Sequence, residues 1–307
     1  EAASVTVLCA KLQARHGWFA FHLGRPLESR TLLEESLLQL RPLATNEAIF
    51  NLNYLGALLR HLGEFGAAQA YAQEALTLAQ AHNDAMGASI ALNILGQLAS
   101  LQGHSEEARL LLRQALTFKR QIGDRWGLTY SLTYLGRLAQ ATGDYAAAQK
   151  LFQESLLIYQ SIGDQRGMAF ALQNLADTAH AAGQHGEAQA HYQESLRFYR
   201  EIGNRADASL TLARLGEATC EAGDTTLAAQ QLQEALAMAW SVQSTPGLLA
   251  ATLGLATLAL ATGQPAQAVQ PLQLVYHHPA SNQAQKQKAA QRLATIGADV
   301  PMADTPL

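Results

Sequence analysis

The chain has 307 residues, of which Ala and Leu supply 109 and charged residues only 15%. A composition this apolar, and this rich in the best helix formers, excludes a disordered or collagen-like chain. Two cysteines exclude a disulfide-rich small domain, and a net charge of −4 lacks the basic surplus of proteins that bind nucleic acid directly.

The N-terminal segment has no secretory leader pattern, because residues 1–10 lack a basic start and a long apolar run. Cys9 and Cys220 lie far apart and form no CxxC spacing, which is typical of reduced thiols inside the cell. We therefore expect a cytoplasmic protein. The chain begins without Met, which is typical of a piece of a longer protein.

A forty-residue period runs through the chain. Glycine recurs at this interval without a slip, and leucine and alanine recur in the same register. The three series are Gly63, Gly103, Gly143, Gly183, Gly223 and Gly263; Leu55, Leu95, Leu135, Leu175, Leu215 and Leu255; and Ala68, Ala108, Ala148, Ala188, Ala228 and Ala268. Three series in one register indicate a repeat protein whose units share one supersecondary structure.

Within one unit the apolar periodicity is helical. Between residues 125 and 162, apolar side chains recur at steps of three and four on both sides of Thr142-Gly143-Asp144. Gly at such a turn ends one helix and Asp caps the next, and Gly163-Asp164 repeats this chemistry. Each unit is therefore predicted to be a pair of antiparallel helices that buries its second face only against a neighbouring unit.

In chain order the pattern predicts an all-α fold of about seven helix-turn-helix repeats and a polar C-terminal capping helix. Pro26 is tolerated in the first turn of a helix, whereas Pro42 breaks the chain and Asn46 is predicted to cap the helix that follows. The predicted repeats span residues 2–42, 46–83, 84–123, 124–163, 164–203, 204–243 and 245–278, with a cap helix at 282–297 and a tail at 298–307.

Residues 235–285 contain no Asp, Glu, Lys or Arg. The apolar centre of this stretch, 247–263, is slightly shorter than a membrane span requires, and it keeps the repeat register. We therefore expect no membrane partner but a buried repeat, with a weakly polar face that contacts another domain or protomer. Pro271 is expected to kink or shorten its helix.

Several positions resemble the tetratricopeptide repeat. The matching residues are Leu55-Gly56, Gly63, Ala68 and Ala75 in one unit, and Leu135-Gly136, Gly143, Ala148, Phe152 and Ser155 in another. The resemblance implies a right-handed superhelix, an α-solenoid, that binds proteins or peptides. The forty-residue form is similar to that of kinesin light chains, and residues 122–136 most resemble the sensor arms of bacterial STAND-type (MalT-like) signal-transduction ATPases.

The resemblance also implies that the first helix of each unit lines a concave groove. By this resemblance the groove is lined by an apolar row, which is Phe50, Ile90, Tyr130 and Phe170. A polar row follows the same interval and is Asn53, Asn93, Thr133 and Gln173. A mixed set lies beside the two rows and is Arg60, Gln97, Arg137 and Asp177.

Side-chain amides can hydrogen-bond both groups of an extended peptide backbone, as groove asparagines do in the kinesin light chain type. Solvation of an exposed groove is the alternative for the polar row, and packing between repeats is the alternative for the apolar row. Basic groups in the N-terminal half and acidic groups in the C-terminal half predict a bipolar groove, with ordinary scatter as the alternative.

Catalytic motifs are absent from the sequence: it has no GxxxxGK[ST] phosphate loop, no GxSxG elbow and no HExxH zinc helix. His180, His185 and His191 come nearest to a metal cluster, but spacings of five and six place them on a helix end, a turn and the next helix. We expect surface histidines, and no metal, cofactor or enzymatic activity.

These features predict a non-catalytic binding arm, the sensor or scaffold of a larger bacterial signalling or transcription-regulatory protein. Its expected ligand in the groove is a protein segment, a peptide or a small inducer, and the resemblance implies an ATPase domain of the same full-length chain as a further partner. The alternative is a homo-oligomerisation scaffold that associates through the charge-free C-terminal repeats.

Overall fold

The computed structural model describes residues 2–43 and 45–298, with side chains from Val5 onward. These residues contain fifteen α-helices, a 3₁₀ turn at Arg41–Leu43 and no strand, which confirms the predicted all-α fold. The helices are α1 Ala2–His22, α2 Pro26–Leu40, α3 Asn46–His61, α4 Phe65–Ala81, α5 Ala85–Leu101, α6 Ser105–Gln121, α7 Arg125–Ala141, α8 Tyr145–Ile162, α9 Gln165–Ala181, α10 His185–Glu201, α11 Arg205–Glu221, α12 Thr225–Ser241, α13 Thr245–Ala261, α14 Pro265–His277 and α15 Gln283–Thr295.

The chain divides into two compact units, which we call unit one (Glu1–Leu151) and unit two (Phe152–Leu307). In unit one, α1 pairs with α2, α3 with α4 and α5 with α6, and α5 also packs on α3. In unit two, α9 pairs with α10, α11 with α12 and α13 with α14, and α13 also packs on α11. The predicted hairpins are therefore present in each unit, with the first helices of successive hairpins stacked together. That all repeats form one solenoid stays a prediction.

The predicted turn chemistry is confirmed. Gly123 follows α6 with a φ of 69°, in the left-handed region that glycine adopts without steric cost. Asp124 then caps α7, because its Oδ1 accepts a hydrogen bond of 2.8 Å from the backbone N–H of Gly127. Two other repeats make the same turn without glycine, since Asn83 and Gln243 have φ values of 53° and 52°.

Two helix starts near the N-terminus test the sequence predictions. Helix α2 begins at Pro26, as predicted, where the missing amide hydrogen is not needed. The prediction that Asn46 caps the next helix is wrong, because Asn46 is the first residue of α3 and Thr45 occupies the cap position with an extended backbone.

The C-terminal helices follow the predicted pattern. Helix α14 has 13 residues, against 17 in α13, so it is short as expected, but it continues past Pro271 and ends at His277, two residues before Pro279. Asn282 caps α15 through a capping box in which Asn282 and Gln285 each accept a hydrogen bond from the backbone N–H of the other. Of the predicted tail, residues 299–307 lie outside the described part of the chain.

Small residues permit close contact between the two helices of a hairpin. A Cβ atom added at Gly96 would lie 2.8 Å from Cγ of Leu112, and one added at Gly216 would lie 2.8 Å from Cγ of Leu232. Leu112 and Leu232 are fully buried. Glycine on one helix facing a buried leucine on its partner therefore helps to build the core of each unit.

The charge-free stretch, residues 235–285, runs from the end of α12 through α13 and α14 to the start of α15. Leu249 and Leu253 of α13 pack in one cluster with Leu272 of α14 and Leu293 of α15, which accounts for the apolar composition. No helix among the described residues is both long enough and apolar enough to cross a membrane.

Candidate ligand-binding face

The apolar row in unit one occupies three different environments. Ile90 packs against the hydrophobic core, as the packing alternative requires. Phe50 is half-buried, and its ring centroid lies 4.2 Å from that of Tyr54. The guanidinium carbon of Arg15 lies over the Phe50 ring, 3.8 Å from the ring centroid. Tyr130 is 43% exposed. Only the last of these side chains presents a large aromatic surface to solvent.

Tyr130 belongs to an exposed aromatic pair. Trp126 lies one turn earlier on α7, is 53% exposed, and has its ring centroid 5.1 Å from that of Tyr130. Met86 occupies the same place in α5 and is also exposed. The sequence predictions omitted Trp126 and Met86, although the forty-residue interval between them is the signal that would have found them. The exposed aromatic pair is therefore a candidate interaction site.

The polar row of unit one is buried and bonded between repeats. Asn53 is 1% exposed, and its Nδ2 donates to the Gly87 carbonyl at 3.1 Å, from α3 to α5. Asn93 accepts a hydrogen bond of 3.0 Å at Oδ1 from the Ser131 hydroxyl, from α5 to α7. Thr133 is buried as well. Solvation of an exposed groove is therefore not the role of Asn53, whose Oδ1 still has no partner among the described residues.

The mixed set in unit one is less completely hydrogen-bonded within the protein than the polar row. Arg60 is half-buried, and its Nε has no partner among the described residues. Gln97 donates through Nε2 to the Asn93 carbonyl at 3.1 Å, while its Oε1 is buried without a partner in the same part of the chain. Arg137 is exposed on α7, one turn after Thr133. These groups give the face of unit one a positive and hydrogen-bonding character beside Tyr130.

The corresponding residues of unit two are engaged within the protein. Phe170 is half-buried, and Gln173 is buried with its Oε1 accepting from the Tyr199 hydroxyl at 3.4 Å and from the Thr211 hydroxyl at 3.5 Å. Burial raises the pKa of Tyr199, so its hydroxyl stays a donor at neutral pH. Gln173, the polar-row residue of unit two, therefore links α9 to α10 and α11.

The negative charge of Asp177 is balanced by contacts within the protein. It forms an ion pair with Arg214 and accepts a hydrogen bond of 2.6 Å from the Tyr192 hydroxyl. Burial raises the pKa of Tyr192 well above its ordinary value, and the Asp177 charge raises it further. The negative charge predicted to face a ligand is thus held by protein groups.

The C-terminal capping helix supplies a second neutralising contact in unit two. Glu217 of α11 is buried, and its Oε1 lies 2.8 Å from both Nη1 of Arg292 and Nζ of Lys288 on α15. Burial alone would raise the pKa of Glu217, but Lys288 and Arg292 outweigh it and lower that pKa. Arg292 also bonds Glu221 at 3.0 Å. The predicted acidic half of the groove is therefore compensated by cations.

Sequence reasoning missed this contact. Lys288 and Arg292 are four residues apart on α15, and Glu217 and Glu221 are four residues apart on α11, so each pair shares one helix face. The matching spacing is the signal that would have suggested the pairing. It gives α15 a specific docking role as well as a solubilising one.

The comparisons with known proteins agree with this geometry. The family described as tetratricopeptide repeat matches residues 46–121 and 128–201. The chain is a tetratricopeptide repeat protein. No curated protein matches it in sequence.

Solved structures similar to this tetratricopeptide repeat protein include a Signal Transduction ATPase with Numerous Domains (STAND) protein from Pyrococcus horikoshii that has a tetratricopeptide repeat sensor. It is 14% identical with a TM-score of 0.67, and the match covers 92% of this chain but 41% of that one.

Two further structures are similar. A Rap protein complexed with Competence and Sporulation Factor is 13% identical with a TM-score of 0.67, over 88% of this chain and 79% of that one. The apo form of the quorum sensor NprR from B. thuringiensis is 13% identical with a TM-score of 0.68, over 93% and 82%. At these identities the likeness shows the fold.

Proposed function

We propose that this tetratricopeptide repeat protein is a non-catalytic binding arm that takes an extended peptide or protein segment on the face of unit one. The observation that carries the proposal is the exposed Trp126–Tyr130 pair on α7, with the exposed Arg137 two turns further along the same helix. Tryptophan, tyrosine and arginine are the residue types most enriched among the side chains that contribute most binding energy at protein interfaces.

The remaining predicted residues have graded roles in this proposal. Phe50, Arg60 and Gln97 extend the face of unit one, and Asn53, Ile90, Asn93 and Thr133 hold its helices in place from beneath. In unit two, Gln173 and Asp177 are bonded to neighbouring helices and Phe170 is half-buried, so these residues contribute less to ligand binding.

The wider role that we propose is the sensor or scaffold arm of a larger signalling protein. Its support is the similarity in fold to the tetratricopeptide repeat sensor of a STAND protein and to a Rap protein complexed with a factor. In such an arrangement, occupancy of the face shifts the population of arm conformations, because stacked repeats are coupled only through their neighbours.

Selection from a random peptide library on the immobilised chain tests the binding proposal. Peptides recovered should bind the Trp126→Ala and Tyr130→Ala variants at least about tenfold more weakly, measured by calorimetry. Trp240→Ala is the matched control, since Trp240 is 75% exposed but lies on α12 of unit two. No recoverable peptide, or peptides indifferent to the change at Trp126, would contradict the proposal.

A second candidate function is self-association through the charge-free repeats. It is favoured by Trp240, Val242 and Leu274, which are exposed large apolar side chains in or beside that stretch. Sedimentation of the wild-type chain and of Trp240→Ser across a range of concentrations tests it. A strict monomer at all concentrations contradicts this candidate and leaves the peptide-binding proposal intact.

A further inference from the structure

The ends of three helices in unit two meet in one cluster of side chains. His180 lies in the last turn of α9, His185 is the first residue of α10, and Glu221 is the last residue of α11. The turn at Gly183, with a φ of 75°, reverses the chain so that the two imidazole rings have centroids 5.9 Å apart. The spacing of five residues, unfavourable on a continuous helix, becomes favourable across this turn.

The cluster has the composition of a metal site. One ring nitrogen from each histidine and one carboxylate oxygen of Glu221 all lie within 4.8 Å of one another. We propose that His180, His185 and Glu221 bind a transition-metal ion of the Zn²⁺ class. Imidazole nitrogens with a carboxylate oxygen are typical zinc ligands, at bond lengths of about 2.0–2.2 Å, and this donor set is unlike the all-oxygen sets that hold Ca²⁺ and Mg²⁺.

A second observation points to the same conclusion. Nδ1 of His185 is buried and has no hydrogen-bond partner among the described residues. Buried polar atoms in proteins nearly always have a partner. Next to His185, Nε2 of His180 and Oε2 of Glu221 are 2.6 Å apart. The His185 imidazole, one nitrogen of which has no hydrogen-bond partner in the part of the chain that the structure describes, is therefore well placed to become a third metal ligand.

His191, the third histidine of the predicted trio, is not part of this cluster. It lies 3.6 Å from Glu187, one turn away on the same helix. The sequence prediction that the three histidines are surface groups is therefore wrong for His180, whose side chain is only 14% exposed. The acidic member, Glu221, comes from a helix that sequence spacing could not connect to the histidines.

Nearby cations set a limit on the affinity. Arg292 lies 3.0 Å and Lys288 3.7 Å from Oε1 of Glu221, on the side of the carboxylate away from His180. Their positive charges repel a divalent ion bound at Oε2. Removing one of them is therefore expected to strengthen metal binding.

Calorimetric titration of the metal-free full chain with Zn²⁺ tests the proposal, with Co²⁺ absorption as a second readout of ligand geometry. We expect one saturable site, at least about tenfold weaker in His185→Ala and in Glu221→Gln. His191→Ala is the matched control and should bind as the wild type does. Lys288→Met should bind at least about threefold more tightly.

The test has clear contrary outcomes. Absence of saturable Zn²⁺ binding overturns the proposal, and so does binding that His191→Ala weakens as much as His185→Ala. If loss of the His180–Glu221 hydrogen bond unfolds a variant at either position, His185→Ala still decides the question, because circular dichroism can verify its fold before titration. None of these outcomes bears on the peptide-binding face of unit one.

Discussion

Arg292 donates a hydrogen bond of 2.8 Å to Glu217 across 75 residues of the chain. The two side chains belong to α15 and α11, and each is largely buried, with exposed side-chain fractions of 14% and 10%. This contact joins the capping helix α15 to α11. It adds to the packing of Leu293 of α15 against α13 and α14.

Arg292→Met should lower the free energy of unfolding by about 2 kcal/mol. Breaking a buried ion pair leaves an uncompensated charge, and the remaining contact between Lys288 and Glu217 limits the loss. Arg197→Met is the control, because Arg197 and Glu201 are both about half exposed and such pairs contribute at most about 1 kcal/mol. Urea denaturation followed by circular dichroism measures both, and equal effects would contradict this account.

Stability should depend on pH through Glu217. Its pKa in the folded protein lies below its ordinary value of 4.5, since Lys288 and Arg292 outweigh the effect of burial. The stability from this group is therefore fully present above pH 4.5 and is lost as the pH falls toward the lowered pKa. As the pH falls below 4.5, the wild type should therefore lose more stability than Glu217→Gln. Parallel curves for the two proteins would show that the prediction is wrong.

Gln243→Gly should stabilise the protein by about 0.5–1 kcal/mol. Gln243 has a φ of 52°, a conformation that costs a side-chain-bearing residue roughly 1–2 kcal/mol and glycine almost nothing. Part of the gain is offset because glycine has more conformational freedom in the unfolded chain.

The reciprocal variant is Gly203→Gln, at the same turn one repeat earlier, where φ is 70°. It should destabilise the protein by a similar amount. Thermal denaturation of the two variants therefore should shift in opposite directions. If both variants shifted the denaturation temperature in the same direction, the backbone conformation of this turn would not be the cause of the change in stability.

Gly216→Ala should destabilise unit two by about 1–3 kcal/mol. The added Cβ would lie 2.8 Å from Cγ of the fully buried Leu232, which has little room to move. Gly66→Ala is the matched control, because a Cβ there meets nothing within 4 Å and alanine favours the helix. The control should be neutral or slightly stabilising in denaturant titrations, and two equal losses would argue against a close helix crossing at Gly216.

Local chemistry accounts for most of the helix boundaries. Asp84, Asp124 and Asp164 cap their helices just where the forty-residue period predicts, because a cap depends on residues within one turn of the chain. The failure at Asn46 is of the same local kind. Thr45 and Asn46 are both residue types that favour the cap position, and sequence alone does not distinguish two such neighbours.

The residues of the candidate face were predicted from the sequence less accurately than the helix boundaries. Resemblance identified Asn53, Asn93 and Gln173 by position, but position on a helix does not determine whether an amide faces a ligand or a neighbouring repeat. The structure gives these amides partners in adjacent helices, at Gly87, Ser131 and Thr211.

The repeat, the all-α fold and the turns could be predicted from the sequence, because each follows from spacing and from contacts within a few residues. Which distant groups meet depends on the tertiary packing of the helices. Arg292 reaches Glu217, and Glu221 reaches His180, because stacking of hairpins brings together helix faces that are tens of residues apart in the chain. Such contacts depend on the orientation of whole helices, and a periodic sequence leaves many pairings compatible with the same period.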